Sequence, residues 1–166
     1  ISLKRHEKQM KIHGVDFKGP NEEIIPIVRN GRDFILKAQS VLDFTEFDKL
    51  CPEPKAPVLM KPGGKQEPDI NDKKFLEELK KHQELRAAYM YLKSLETTEG
   101  LEWETVDMSK PDTWLNYEDE LKAGFTDAER IRIMNGIMTA QGFDGDKVEQ
   151  ARQRFLASRE EESKDS

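Results

Sequence analysis

Apolar residues along this chain change period once, and the change predicts its architecture. Residues 23–29 and 32–41 are two extended, largely apolar runs separated by Asn30-Gly31. Both turn residues tolerate the positive φ of a tight two-residue turn, so the pair predicts a β-hairpin. In the second run Phe34, Leu36 and Ala38 share one face. Pro26 cannot donate to a ladder, so its strand is expected at an edge or bulged there. A weaker alternation covers residues 10–17. A sheet of two or three strands is marginal alone and must pack on something else.

Residues 43–50 predict a short helix, with Phe44, Phe47 and Leu50 recurring every third residue and Asp43 or Thr45 as its cap. Residues 51–68 then hold five of the eight prolines and the pair Gly63-Gly64. That composition predicts an extended, partly stiff linker and a domain boundary. Within it, Val58, Leu59 and Met60 form an apolar island. It is either a strap packed on a neighbouring surface or a segment that docks on another chain.

From residue 71 the period is helical. Residues 72–97 place Phe75, Leu76, Leu79, Leu85, Ala88, Tyr89, Leu92 and Leu95 near one face. Tyr89 and Tyr91 cannot share a side of that helix, so one of them is expected to be exposed beside Met90 as a contact surface. Residues 101–108 read as a short extended piece, and residues 112–123 as a helix. Thr126-Asp-Ala-Glu129 is a capping box that starts a helix bearing Ile131, Met134, Ile137 and Met138. A last helix opens at Asp144 and carries Val148, Ala151, Phe155 and Leu156. The charged residues 158–166 read as a disordered tail.

The expected fold is therefore α+β: a small antiparallel β region with a short helix (1–50), a Pro/Gly-rich linker (51–70), and a bundle of about four helices (71–157).

Composition narrows the function. The hydrophobic and charged fractions are both 36%. This balance implies small cores with much solvated surface, or apolar surface completed by a partner. A net charge of −6 argues against general phosphate-backbone binding. The basic cluster Lys4, Arg5, Lys8 and Lys11 reads as a solvated end, and no nucleic acid is expected as a partner. No stretch approaches the ~20 apolar residues of a membrane span, and the first residues lack the apolar run of a signal peptide.

Candidate chemistry is sparse. His6, His13 and His82 have no metal-ligand spacing. The single cysteine, Cys51, excludes an internal disulfide framework and reads as a structural thiol. Asp144-Gly-Asp-Lys-Val-Glu149 lacks the length and the glycine position of a calcium loop and reads as a helix cap. Gly63-Gly64-Lys65 lacks the residues of a phosphate loop and reads as a turn. No catalytic group, metal or cofactor is expected.

Several runs resemble a group of tailed-bacteriophage proteins described as tail-assembly chaperones or tail-associated proteins. They are Leu42-Asp-Phe-Thr-Glu-Phe-Asp-Lys-Leu-Cys-Pro-Glu-Pro-Lys-Ala-Pro, Lys61-Pro-Gly-Gly, and Leu101-Glu-Trp-Glu-Thr-Val-Asp. Pro111-Asp-Thr-Trp114, Glu120-Leu-Lys-Ala-Gly-Phe-Thr, Asn135-Gly-Ile-Met-Thr-Ala and Ala151-Arg-Gln-Arg-Phe-Leu join them. The resemblance spans about residues 25–157 and rests on turn and core residues. It implies a non-enzymatic role, holding tail proteins such as the tape-measure protein or tail-tube subunits, with self-association as a further option. The setting it implies is the host cytoplasm during assembly, or the virion itself. The alternatives are a structural virion subunit, or a regulatory or anti-defence protein that binds a host protein or a nucleotide near Arg29, Arg32 or Arg86. Expected partner-binding residues are Val58, Leu59, Met60, Tyr89 and Tyr91.

Overall fold

The computed structural model describes residues 9–165, so Lys4, Arg5, His6 and Lys8 lie outside the described residues. The fold is α+β. Three two-stranded antiparallel ribbons follow one another along the chain, and helices follow and interleave with them.

The first ribbon pairs β1 (Lys11–Ile12) with β2 (Val15–Asp16). His13 and Gly14 both adopt positive φ in its turn. All of its residues are exposed, and Lys11 pairs with Asp16 at 3.6 Å.

The second ribbon is the structural one. β3 (Glu22–Arg29) pairs with β4 (Arg32–Gln39) through Asn30 at φ 51° and Gly31 at φ 71°. This is the conformation that the Asn-Gly pair favours. Pairing runs one-to-one over eight residues, with Pro26 opposite Ile35 and no bulge. The turn closes on Arg29 and Arg32, so hydrogen-bonded pairs recur at 27–34 and 25–36, and Pro26 falls at a pair that exchanges no bonds. Its missing N–H therefore costs the ladder nothing. Strand alternation buries Ile25, Ile27, Leu36 and Ala38 and turns Ile24, Pro26, Val28 and Ile35 outward.

The inner face packs on α2 (Lys73–Leu95) and α4 (Asp127–Ala140). The helix α4 approaches so closely that a Cβ on Gly136 would lie 2.4 Å from Ile25 Cδ1. Polar side chains from α2, α4 and the residues just past them also cover the free edge of β4 at Lys37 and Gln39. Thr98 Oγ1, just past α2, accepts from the Lys37 amide at 2.9 Å and donates to the Lys37 carbonyl at 3.1 Å. The Gln39 carbonyl accepts from Ser94 Oγ at 2.8 Å and from Gln141 Nε2 at 3.0 Å. Gln141 Oε1 accepts the Val41 amide at 2.8 Å. The outward backbone groups of Lys37 and the Gln39 carbonyl are thus met from outside the sheet.

On the other side of α2 sits α1 (Thr45–Leu50). Asp43 Oδ1 accepts from the Thr45 amide at 2.8 Å and from its hydroxyl, which holds the Asp43 carboxyl below its ordinary range. α1 delivers Phe47, fully buried, between Tyr89 and Trp114 with ring centroids 5.5 and 6.1 Å away. Trp114 comes from a 3-10 turn (Pro111–Asn116), which continues into α3 (Tyr117–Gly124) where a single helix was expected. Pro111 at its start fits a helix-start role. Residues 101–108 form no strand. They are tied down instead by Glu120, whose carboxylate accepts from the Glu104 and Thr105 amides and the Thr105 hydroxyl.

One core therefore unites Ile25, Leu36, Phe47, Leu92, Trp114, Leu121, Ile133 and Ile137. The ribbon and the helices do not form separate units on either side of residues 51–70. The expected linker itself contains the third ribbon, β5 (Val58–Met60) paired with β6 (Gln66–Pro68) around Gly63 and Gly64.

α4 starts at the expected capping box. Thr126 Oγ1 accepts from the Glu129 amide at 3.2 Å, and Glu129 Oε1 accepts from the Thr126 amide at 2.9 Å. Its buried face differs from the expected one. Ile133, Gly136, Ile137 and Ala140 point inward, while Ile131 and Met134 are exposed. α5 (Gly145–Lys164) begins at Asp144, which caps it by accepting from the Lys147 amide at 3.3 Å. It buries no residue, so it is not a bundle member. It also runs through residues 158–164, where a disordered tail was expected.

Candidate partner-binding surface

The residues expected to bind a partner separate into two groups. Tyr89 and Tyr91 are only 2% and 3% exposed, which corrects the expectation of an exposed aromatic face. They do point to different sides of α2, but that helix is covered on both sides. Tyr89 packs on Phe44, Phe47 and Trp114. Tyr91 stacks on Tyr117 at 4.7 Å. Burial pushes both hydroxyls above the usual tyrosine range, with Tyr117 raised to about 12. These are core residues.

Val58, Leu59 and Met60 are all exposed on β5. The strap reading required them to be packed on a neighbouring surface, and they are not. Lys61 pairs with Glu67 across the ribbon at 2.6 Å. The apolar island is therefore presented on a short ribbon whose outer edges are open.

A second apolar surface lies on the structural ribbon. Ile24, Pro26, Val28 and Ile35 share its outward face in adjacent register. Ile24, Val28 and Ile35 are all large and exposed. Beside the ribbon tip lies a cleft of about 300 Å³, walled by Ile27, Phe34, Leu36, Leu101 and Phe125. No single sequence signature marks this cleft, because its walls come from three distant segments. For the outward face the available signal was the unbroken apolar run of residues 24–28, which gives a strand apolar side chains on both of its faces.

Arg29 defines one rim of the cleft. Its guanidinium donates to Glu129 Oε1 at 2.7 Å and to the Gly124 carbonyl, and lies 5.3 Å from the Phe125 ring centroid. Glu129 is thus shared by Arg29 and the α4 capping box. The Arg29 hydrogen bond, helped by the Thr126 amide, lowers the Glu129 carboxyl to about 2. A depressed carboxyl stabilises the fold above its ordinary range near 4.5 and loses that contribution as pH falls toward about 2. Arg32 lies over Phe34 at 5.0 Å, and Arg86 over Phe44 at 4.0 Å on the opposite side of the core. The three arginines do not converge on one site.

Elsewhere the chemistry matches ordinary packing. His82 Nε2 lies 3.1 Å from the Cys51 carbonyl, and its ring packs on Phe47 at 5.2 Å. Cys51 is buried, and desolvation followed by the nearby Asp112 raises its thiol above the usual range. This is opposite to the shift that activates a nucleophilic thiolate. Among the described residues no group of three His, Cys, Asp or Glu side chains is placed to hold a metal ion. No helix among them is long and apolar enough to cross a membrane.

Comparison of the chain with family models, with curated proteins and with solved structures finds no match to any of them.

Proposed function

We propose that this chain is a non-enzymatic binding protein that acts in the assembly of a long-tailed bacteriophage virion, where it holds a tail protein through apolar surface. The observation that carries the reading is the outward face of the β3–β4 ribbon, on which Ile24, Val28 and Ile35 are exposed in adjacent register. Solvent-facing apolar residues in adjacent register on a rigid ribbon are costly to keep without a partner that covers them. The motif resemblance of residues 42–64 and 101–156 points to the same class of protein.

A client of the tape-measure kind is a long helical chain, and its apolar side chains at i, i+3 and i+7 suit such a face. The exposed Val58, Leu59 and Met60 on β5 are a second candidate surface. A net charge of −6 disfavours nonspecific attachment to the genome being packaged nearby. The host cytoplasm during assembly is the corresponding setting.

Capture with the tagged chain from infected cells, followed by mass spectrometry, tests this reading. Tape-measure or tail-tube subunits should be retained by the wild type and lost on Ile24→Asp or Val28→Asp. Capture of unrelated host proteins alone overturns it.

A second reading, a nucleotide-binding regulatory protein, draws on Arg29, Phe34 and Phe125 around the cleft. Arg29 is already committed to Glu129 there, and a phosphate would have to displace it. A rise in melting temperature of several degrees with one nucleotide would favour this reading over the first.

A further inference from the structure

The two long edges of the β3–β4 ribbon differ. The Ser40 amide bonds to the Asn21 carbonyl at 2.9 Å, which sets the parity of the ladder. Pairs 23–38, 25–36, 27–34 and 29–32 exchange hydrogen bonds, and the residues between them direct their backbone groups outward. On β3 the outward row includes Pro26, which has no amide. Its carbonyl is reached by Arg132 Nη1 at 3.4 Å. Proline on an edge strand blunts pairing there. On β4 the outward row is Asp33, Ile35, Lys37 and Gln39. Thr98 takes both groups of Lys37, and toward the turn the closure stops there. The amides and carbonyls of Asp33 and Ile35 that face outward have no hydrogen-bond partner among the described residues, and both residues are exposed.

The apolar cleft lies along this open stretch. Ile35 and Thr98 line it together with Phe34, Leu36, Leu101 and Phe125. Phe34 and Leu36 belong to the inner face of the ribbon, so a strand added at this edge turns every second side chain toward the cleft. Its volume of about 300 Å³ has room for a large apolar side chain. Open main-chain groups beside such a cleft are the two parts of recognition by strand addition. Backbone bonds hold the segment, and the pocket selects its side chain.

Two charges mark the ends of the stretch. Glu99, next to Thr98, lines the cleft and has no ion pair among the described residues. Arg32, at the turn, lies over Phe34 and has none either. We propose that the β4 edge at Asp33 and Ile35 takes an extended segment of a partner protein, antiparallel to β4, with a basic residue at i, a large apolar residue at i+2 and an acidic residue at i+4. Residue i lies opposite Leu36, on the side of Glu99. Residue i+2 lies opposite Phe34 and fills the cleft. Residue i+4 lies opposite Arg32 as a cross-strand charge pair. Residues i+1 and i+3 exchange backbone bonds with Ile35 and Asp33. The proposal is separate from the tail role, which rests on the outward face of the same ribbon.

The acetylated and amidated peptide Ser-Lys-Thr-Ile-Thr-Glu-Ser, titrated into the isotope-labelled full chain, tests it. The backbone amide resonances of Asp33 and Ile35 should shift to saturation, and those of α5 should not. Methylating the backbone nitrogens of both peptide threonines, which face β4, should abolish the shifts. Methylating that of the isoleucine, which faces away, should preserve them. Serine in place of the peptide isoleucine should weaken binding at least about tenfold, as loss of a central anchor does. Glu99→Lys should weaken it by up to about fivefold, and a peptide with glutamate in place of its lysine should recover that loss. No shift at millimolar peptide overturns the proposal, as does equal loss from either methylation. A wild-type chain that dimerises in sedimentation equilibrium, and no longer does so on Ile35→Pro, assigns the edge to a second copy and overturns the peptide segment as its occupant. Loss of tail-protein capture with peptide binding intact counts against the proposed function alone.

Discussion

The β3–β4 and β5–β6 ribbons are both two-stranded, both antiparallel, and both turn through residues with positive φ. Their fates differ. The first buries Ile25, Ile27, Leu36 and Ala38 against α2 and α4, and its β4 edge is closed at Lys37 and Gln39 by Thr98, Ser94 and Gln141. The second has all six of its strand residues exposed, including three large apolar ones in succession. An isolated two-strand ribbon is marginal in water, so the first draws its stability from the helices behind it. The second is held by its turn and by its own ladder. The contrast separates a ribbon that builds the fold from one that is presented to the surroundings.

The helices repeat the contrast. α4 sinks Gly136 onto Ile25 so closely that no side chain fits between them. α5, longer and similarly capped, buries nothing. In both comparisons the local signals are equally good, and only the supply of a facing apolar surface differs.

The sharpest way to break the ribbon comparison is Ile25→Ala. A cavity at this site should lower unfolding free energy by about 2–5 kcal/mol, measured by denaturant titration. Removing only the edge closure should cost less. Thr98→Val strips the Lys37 amide and carbonyl of their partner, and about 1–3 kcal/mol should be lost by the same assay. The smallest effect belongs to the presented ribbon. Replacing Val58, Leu59 and Met60 together by Ser should change stability by no more than about 0.5 kcal/mol per site, while capture of the proposed partner weakens. A large loss of stability in that triple variant would show that β5 is covered and would erase the distinction.

Much of the local structure was legible along the chain. Asn30-Gly31 specified its turn, because two positive φ angles in succession suit few other residue pairs. Thr126 and Glu129 specified a helix start, because they meet orphan amides within one turn of each other. Asp144 specified another in the same way. The partner-binding residues were legible only in part. Val58, Leu59 and Met60 are exposed as a docking segment would be, whereas Tyr89 and Tyr91 are not. The spacing argument for the tyrosines was sound, since they do diverge. It failed on what surrounds α2: Phe47 and Trp114 arrive from residues 45–50 and 111–116 on one side, and Tyr117 on the other. The α4 face was displaced for a related reason. Ile131 and Met134 fit a helical stripe as well as Ile133 and Ile137 do, and glycine at 136 decided which sector comes close to the ribbon.

The amino-acid sequence by itself determined the class α+β, the principal turn and the helix starts, because these rest on backbone dihedral preferences and hydrogen bonds between near neighbours. Tertiary structure alone decided which apolar faces are buried, that residues 51–70 do not divide the molecule into two cores, and that α5 stands apart. Burial is a property of pairs of surfaces, and the members of a pair such as Ile25 and Gly136 are here more than 100 residues apart in the chain.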